Sequence, residues 1–185
     1  WFQTFSRKTF SFNKKTVYLA LAVDFLHSGH LRIIKLAKKY GNLIIGLMSD
    51  KAITEYKSLP LLSFNERKKI IENLSGIHKV IKQDDADYAK TLKRIRPDYF
   101  IHGSDWKYDN RKKIRKQVIS ILKKINCKLI EPEYKKKIDN YDFRSKLGEY
   151  FSPDVRVSNL RRAINSKNIV RILESHNSLT GLIIE

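Results

Sequence analysis

Cysteine is almost absent from this chain of 185 residues, in which Cys127 is the single thiol. One cysteine excludes an internal disulfide and a zinc site built from several thiolates. A chain without disulfides suits a reducing compartment, so we expect a cytoplasmic protein. Long apolar runs are also missing, because stretches such as LIIGLM are far shorter than the roughly 20 residues of a membrane-spanning helix. The sequence therefore predicts no membrane partner.

Acidic residues are scarce as well. Asp and Glu number 19 against 38 Lys and Arg, which leaves a net charge of +19. This excess predicts an anionic partner, and nucleic acid, acidic lipid and a polyphosphate substrate all qualify. Hydrophobic residues make up 42% of the chain, which excludes wholesale disorder and predicts one well-buried domain of roughly 100–200 residues.

Short apolar segments alternate with helical patterns along the chain. The predicted strands are Thr16–Val23, Asn42–Ser49, His78–Lys82, Asp98–Gly103 and Cys127–Pro132. The predicted helices run from Gly29 to Tyr40 and over Ser63–Leu74, Asp87–Ile95 and Arg111–Ile125. This order predicts an α/β fold: a Rossmann-like, five-stranded parallel sheet with helices on both faces. In such sheets the ligand lies beyond the carboxyl ends of the strands.

The stretch VDFLHSGH places His27 and His30 where the first strand gives way to the first helix. Gly29 between them allows close approach of the backbone. The N-terminus of a helix presents unpaired N–H groups and a partial positive charge, which suits a phosphate. Two imidazoles there can donate further hydrogen bonds to phosphate oxygens, most strongly when charge develops in a transition state. The pair therefore indicates phosphoryl or nucleotidyl transfer.

Zinc binding is the alternative for the same pair. A zinc site needs a third and usually a fourth ligand, and the remaining nitrogen and sulfur donors are His78, His102, His176 and Cys127. None of them forms a companion motif of recognisable spacing, so the phosphate interpretation is favoured.

VDFLHSGH resembles the HxGH signature of the nucleotidyltransferase superfamily, specifically its cytidylyltransferase branch, which includes glycerol-3-phosphate and ethanolamine-phosphate enzymes. The stretches SDKAI, SFNERKKIIENL, HKVI and GSDW are similar to further blocks of that branch and follow in the same order. The resemblance implies an enzyme that joins CTP to a phosphate or phosphonate oxyanion and releases pyrophosphate, usually with Mg²⁺. The acceptor oxyanion is itself the nucleophile, so no covalent intermediate is required.

The resemblance also implies roles for individual residues. His27 and His30 would be catalytic, holding the triphosphate and stabilising charge on the α-phosphate, and Asp24 would organise the Mg²⁺ ion or the loop. The implied nucleotide-binding residues are Ala22, Val23, Asp24, Gly29, Gly103, Ser104, Asp105, Trp106, Arg144 and Ser145. Lys57 and Arg67 would bind phosphate or the acceptor.

One block departs from the family's pattern. The family carries a late R-T-x-G-x-S-[ST] sequence whose arginine and hydroxyls bind the triphosphate, whereas Arg144 and Ser145 have no glycine between them. Lys135–Lys137 would supply point charges without the bidentate fork of arginine. A catalytically degenerate domain is therefore one alternative.

The stretch ESHNSLTG, residues 174–181, resembles the E-A-H-N-G-L-S-A block of phosphoenolpyruvate mutase. Together the two resemblances imply a phosphonate-biosynthesis fusion: a basic segment at 1–15, a cytidylyltransferase-like domain at 16–150, and a linker with the truncated start of a mutase-like domain at 151–185. The acceptor would then be 2-hydroxyethylphosphonate or 2-aminoethylphosphonate, and no mutase activity is expected without the barrel. A homodimer is a further hypothesis.

Two other functions stay open at this point. A cytidylyltransferase could act on a phosphate ester such as glycerol 3-phosphate instead of a phosphonate. The stretch from Arg111 to Lys137, with 11 Lys or Arg against 2 Asp or Glu, could bind a phosphate backbone. That stretch lacks interleaved aromatics and a recognisable nucleic-acid motif, so nucleic acid is not the expected partner.

Overall fold

A computed structural model describes residues 15–55, 57–85, 87–107, 111–133 and 153–166. The strands are β1 (Thr16–Leu21), β2 (Asn42–Met48), β3 (Lys79–Gln83), β4 (Tyr99–Ile101) and β5 (Lys128–Ile130). They form one five-stranded parallel sheet in the order β3-β2-β1-β4-β5. The predicted α/β fold is confirmed. Strands β1, β2 and β4 end one or two residues before their predicted ends. The last predicted residues of these strands therefore lie in loops at the carboxyl edge of the sheet.

The helices of the described residues are α1 (Ser28–Ala37), α2 (Asp50–Thr54), α3 (Phe64–Glu72), α4 (Ala89–Ile95), α5 (Lys112–Lys124) and α6 (Pro153–Ser166). A capping box of Ser63 and Glu66 begins α3, as its sequence predicts. The short helix α2 was not predicted, and it begins where the Ser49 hydroxyl accepts a hydrogen bond from the Ala52 N–H. In this part of the chain, every helix is too short or too polar to cross a bilayer.

Both faces of the sheet are covered, which explains why the strands are almost continuously apolar. One apolar cluster packs Tyr18 of β1 and Phe100 of β4 against Leu92 and Val118 of α4 and α5. The other packs alternate residues of the same strands against α1 and α3. The side chains of β1 are buried on both sides, so its last residues hold the following loop on a rigid support.

Gly46 sits in the middle of β2 because no larger residue fits there. A Cβ at this position would overlap the Tyr18 hydroxyl on the neighbouring strand. That hydroxyl donates a 2.7 Å hydrogen bond to Gln83 Oε1 at the end of β3. The close approach of the β2 backbone therefore lets one buried side chain tie three strands together.

Helix α6, which lies in the segment predicted as a linker with the truncated start of a second domain, packs against the sheet domain. It contacts α2, and the Thr54 hydroxyl donates to the carbonyl of Ser166 at 3.1 Å. The side chain of Arg162 donates to the backbone of residues 60–62. The mutase-like block at 174–181 lies outside the described residues.

Candidate active site

The two histidines stand where β1 passes into α1, as their spacing predicts. His27 is the N-cap of α1, and its Nδ1 accepts a 3.1 Å hydrogen bond from the Gly29 N–H. A side-chain acceptor at this position usually comes from Ser, Thr, Asp or Asn. Because Nδ1 is the acceptor, the proton of the neutral ring is on Nε2, which serves as a donor.

The imidazoles of His27 and His30 lie together, with ring centroids 3.9 Å apart. Gly29 makes this arrangement possible, because a Cβ there would be 2.8 Å from His27 Cε1. The glycine is therefore needed for the folded-back ring rather than for an unusual backbone angle.

Burial lowers the pKa of both rings. The pKa of His30 falls to about 4, first through burial and then through His27 and Lys57, while a hydrogen bond with the Phe25 backbone partly opposes the fall. The pKa of His27 is lowered by burial and then by the charge of Lys57. Both imidazoles are therefore neutral at pH 7, and each carries one N–H group.

A cavity of about 420 Å³ opens in front of the pair, which is within the usual range for a small-molecule site. Six of the predicted site residues line it: Ala22, His27, Gly29, His30, Lys57 and Gly103. Arg32 and Arg111 add two cationic side chains to its wall, and Glu133 adds one acidic side chain. Positive charge prevails in this lining, so the cavity favours an anionic ligand.

The structure places Arg67 away from the cavity that Lys57 lines. Its side chain is fully buried, and its guanidinium donates to the carbonyls of Leu62, Val23 and Met48 and to the Asp50 carboxylate. These bonds join the loops after β1 and β2 to the start of α3. The motif identified an important arginine, but its donors hold loops rather than a phosphate.

Asp24 also joins loops. Its Oδ1 accepts a 3.2 Å hydrogen bond from the Leu62 N–H. In the residues that the structure describes, no three His, Cys, Asp or Glu side chains are grouped so that they could hold a metal ion. The described residues therefore do not form a Mg²⁺ site made of protein ligands alone. Mg²⁺, which is common in this family, would depend on phosphate oxygens of a bound nucleotide.

The GSDW loop forms a 3₁₀ turn, Ser104–Lys107, next to the cavity. Trp106 is fully buried, stacks on His102 with centroids 3.8 Å apart, and donates from Nε1 to Glu131 at 2.6 Å. Arg115 holds the same carboxylate through two 2.8 Å hydrogen bonds. Trp106 thus supports the cavity wall from behind instead of lining it.

Ser104 and Val23 are likewise buried outside the lining of the cavity. The side chain of Asp105 lies outside the described part of the chain. Arg144 and Ser145, the predicted late block, also lie outside the described residues. Their assignment to the nucleotide stays a prediction.

His102 and Tyr88 line the cavity but were not predicted as site residues. The Nδ1 of His102 donates to the Gly103 carbonyl at 2.8 Å, so its Nε2 accepts from the Tyr88 hydroxyl at 3.2 Å. The place of His102 directly before GSDW was a usable signal. The sequence around Tyr88 gives no such signal. Tyr88 lies in the cavity wall with a left-handed backbone, φ of 57°, which the sequence pattern does not indicate.

Comparison with known proteins gives the chain relatives among nucleotidyl-transferring enzymes. The chain is similar to the FAD synthase of Ferroglobus placidus, with 28% identity over 123 residues that cover 62% of this chain and 81% of that protein. It is also similar to the bifunctional protein HldE of Sulfurimonas denitrificans, with 32% identity over half of this chain but only 20% of that protein.

A lipopolysaccharide core biosynthesis protein from Thermoplasma volcanium shares the fold, with a TM-score of 0.56 and 24% identity over 68% of this chain and all of that one. The family described as cytidylyltransferase-like matches residues 23–147, a span that contains both histidines, Lys57 and the GSDW loop. The chain therefore belongs to the cytidylyltransferase-like family, a family of nucleotidyltransferase-type enzymes.

Proposed function

We propose that the protein transfers CMP from CTP to an oxyanion of a small phosphonate and releases pyrophosphate. The observation that carries this proposal is the pair of neutral imidazoles, 3.9 Å apart, at the N-terminus of α1. Their cavity also presents Lys57, Arg32 and Arg111. This combination offers hydrogen-bond donors and cations to a triphosphate.

In the proposed reaction the acceptor oxyanion attacks the α-phosphorus of the nucleotide. A new oxygen–phosphorus bond forms, and the bond between the α-phosphorus and the α–β bridging oxygen breaks. The electron pair leaves with pyrophosphate, so no proton has to move. The Nε2–H group of His27, the N–H group of His30 once it leaves the Phe25 backbone, and the amides at the start of α1 that are not bound to His27 would stabilise the charge that develops on the α-phosphate. Lys57 would act as a point charge on the phosphates.

The choice of a phosphonate acceptor rests on the mutase-like stretch at residues 174–181. A phosphate ester such as glycerol 3-phosphate is the alternative acceptor. Since FAD synthases among the relatives are named for a product that contains an adenine nucleotide, ATP with FMN is a third pair to test. All three share transfer of a nucleotidyl group to a phosphorus oxyanion.

The experiment is a pyrophosphate-release assay of the purified chain. CTP and ATP are each combined with 2-hydroxyethylphosphonate, 2-aminoethylphosphonate, glycerol 3-phosphate and FMN. We expect release that requires CTP and is fastest with a phosphonate. Release that requires FMN and ATP would contradict the proposed substrates, and no release with any pair would contradict nucleotidyl transfer itself.

We also propose a cytoplasmic homodimer. The compartment is inferred from the single cysteine, which cannot form an internal disulfide; Cys127 is buried, and burial raises the pKa of its thiol to about 11. Sedimentation equilibrium tests the dimer directly. A single species with the mass of one chain, at every concentration, would exclude it.

A further inference from the structure

We propose that α6 braces the loop that carries Lys57, and that Arg162 of α6 is a positioning residue for this lysine. The loop comprises residues 57–62 and is called the lysine loop below. This inference rests on the proposed function for its catalytic consequence. The brace itself consists of hydrogen bonds that do not depend on the reaction.

Arg162 holds the lysine loop by its backbone. Its Nη1 donates to the Leu61 carbonyl at 2.7 Å, and its Nη2 donates to the carbonyls of Pro60 and Leu62 at 2.9 and 3.0 Å. One guanidinium thus meets three successive carbonyls. The planar fork of arginine can do this, whereas the single ammonium of lysine lacks the fixed geometry.

Asp50 completes the brace. Its Oδ2 accepts hydrogen bonds from Nε and Nη2 of Arg162 at 3.3 and 3.1 Å. Its Oδ1 accepts a 2.7 Å hydrogen bond from Arg67, which also donates to the Leu62 carbonyl. A single carboxylate at the start of α2 therefore connects the arginines of α3 and α6 around the lysine loop.

The contacts lie on both sides of Lys57 in the chain. Before it, the Thr54 hydroxyl of α2 donates to the Ser166 carbonyl of α6. The N–H of Lys57 itself donates to the Ile53 carbonyl at 2.9 Å. This hydrogen bond continues the pattern of α2 into the loop. After it, Arg162 holds residues 60–62. With both ends of the segment attached to α6, the position of Lys57 in the cavity wall depends on this helix.

The helix that supplies Arg162 lies beyond the part of the chain that matches the family, since that match ends at residue 147 and α6 begins at Pro153. The motifs that the sequence analysis identified do not include Arg162. Of its five acceptor atoms, Asn159 Oδ1 lies in α6 itself, whereas Asp50 Oδ2 and the carbonyls of residues 60–62 lie 100 or more residues away in the chain. Only the folded structure brings them to one side chain.

The first test compares Arg162→Ala and Arg162→Lys with a control, Arg161→Ala, which removes an exposed charge from the same helix. We expect both Arg162 variants to lower kcat/KM about 10- to 100-fold, the scale for a misplaced binding group. The loss should appear mainly in KM for the nucleotide. The control should keep the kcat/KM of the original protein.

A double-mutant cycle with Lys57→Ala separates positioning from general damage. If Arg162 acts through Lys57, Arg162→Ala changes kcat/KM little once Lys57 is already removed. Equal fold-losses in the presence and absence of Lys57 would overturn the proposal.

Hydrogen exchange of the lysine loop tests the brace independently of turnover. We expect faster exchange of the amides at residues 57–59, 61 and 62 in Arg162→Ala, and to a lesser extent in Arg162→Lys, with unchanged exchange in β1. Unchanged exchange in the loop would overturn the brace. If the original protein transfers no nucleotide, the proposed function fails, but this exchange measurement still decides whether α6 holds the loop. Exchange that rises equally in β1 would show general loosening of the fold and would also count against the brace.

Discussion

His27 caps α1 with one ring nitrogen, and the role that we propose for it in the reaction would use the other. Nδ1 caps α1, and this bond fixes the tautomer, so Nε2–H is the donor of a ring that lines the cavity. A different residue that caps the helix can therefore keep the cap while removing the Nε2–H donor. This separation allows a sharper experiment than removal of the whole side chain.

We expect His27→Asn to lower turnover by roughly 10²–10³-fold, the effect of losing one preorganised donor, with little loss of stability because Asn is a good N-cap. His27→Ala should lose turnover similarly and also about 1 kcal/mol of stability, since the cap is removed. His30→Ala should lower turnover on the same scale. Pyrophosphate release and urea unfolding measure the two effects.

His78→Ala is the matched control for these variants, because His78 is exposed and distant in sequence from the pair. It should keep turnover and stability. Normal pyrophosphate release by His27→Asn would show that the Nε2 donor takes no part in the reaction.

The low pKa of His30 makes stability depend on pH. Its folded pKa of about 4 lies below the ordinary value of 6.5, so the unfolded chain binds the proton more readily. This ring therefore costs no stability above about pH 7, and the free energy of unfolding falls as the pH drops from about 6.5 toward 4, by up to about 3 kcal/mol.

Urea unfolding between pH 8 and 4 measures this dependence, and the difference between the original protein and His30→Asn isolates the contribution of one ring. We expect the two curves to run parallel above about pH 7, and the original protein to lose stability relative to His30→Asn as the pH falls from about 6.5 toward 4. Parallel curves over the whole range would show that His30 titrates normally.

The sequence predicted His27 and His30 from their spacing and Lys57 from the family resemblance, and all three line one cavity. It placed Arg67 on a phosphate because an arginine in a helical motif looks the same whether its donors reach ligand or backbone. The distinction depends on carbonyls of Val23, Met48 and Leu62, which come from three separate loops. Contacts of that kind are set by the tertiary fold.

At the scale of elements, the boundaries of the strands decide where the site lies. The sequence predicted every strand of the sheet, since buried parallel strands give clear apolar runs, but it extended β1 and β4 into the loops that bear the site. Apolar residues such as Val23 continue past the last paired residue because they are buried too. An apolar run shows which residues are buried, whereas the end of a strand is set by where backbone pairing with the neighbouring strands stops.

The 3₁₀ turn beneath His102 is held to β5 by Glu131. This carboxylate accepts from Trp106 and Arg115 and pairs with Lys107 at 3.1 Å. The hydrogen bonds from Arg115 and then from Trp106 and Lys107 lower the pKa of Glu131 to about 2 against the opposing effect of burial. Its stabilisation is present above about pH 4.5 and is lost as the pH falls toward 2.

We therefore expect Glu131→Gln to lower the free energy of unfolding at pH 7 by about 2 kcal/mol, because charged hydrogen bonds are replaced by neutral ones. Chemical denaturation measures the change. Glu72→Gln is the control, since Glu72 forms an exposed pair with Lys68 and should change stability by less than about 0.5 kcal/mol. Equal effects of both substitutions would contradict a special role for Glu131.

At the scale of the whole molecule, a net charge of +19 attracts any polyanion, so binding alone does not identify the ligand. Exposed lysines of α5, such as Lys113 and Lys116, would attract nucleic acid without the cavity. Such binding should fall steeply with salt and survive removal of both imidazoles. Binding in the cavity should depend on them.

We expect CTP to raise the melting temperature, because a ligand that binds only the folded state adds stability by mass action, about 2.7 kcal/mol at a concentration 100 times Kd. The shift should exceed that given by ATP and should be largely lost when His27 and His30 are both replaced by alanine. Thermal denaturation at fixed ionic strength is the measurement. Protection by ATP but not by CTP would show that the base assignment is wrong.

The central position of β1 has a consequence for biogenesis. β1 pairs with β2 on one side and with β4 on the other, and the N–H of Thr16 donates to Asp98, 82 residues further along the chain. Long-range pairing of this kind is slow to form. During translation, a ribosome must therefore synthesise β4 before the support of the two histidines is complete, and a nascent polypeptide arrested before residue 99 should not yet bind nucleotide.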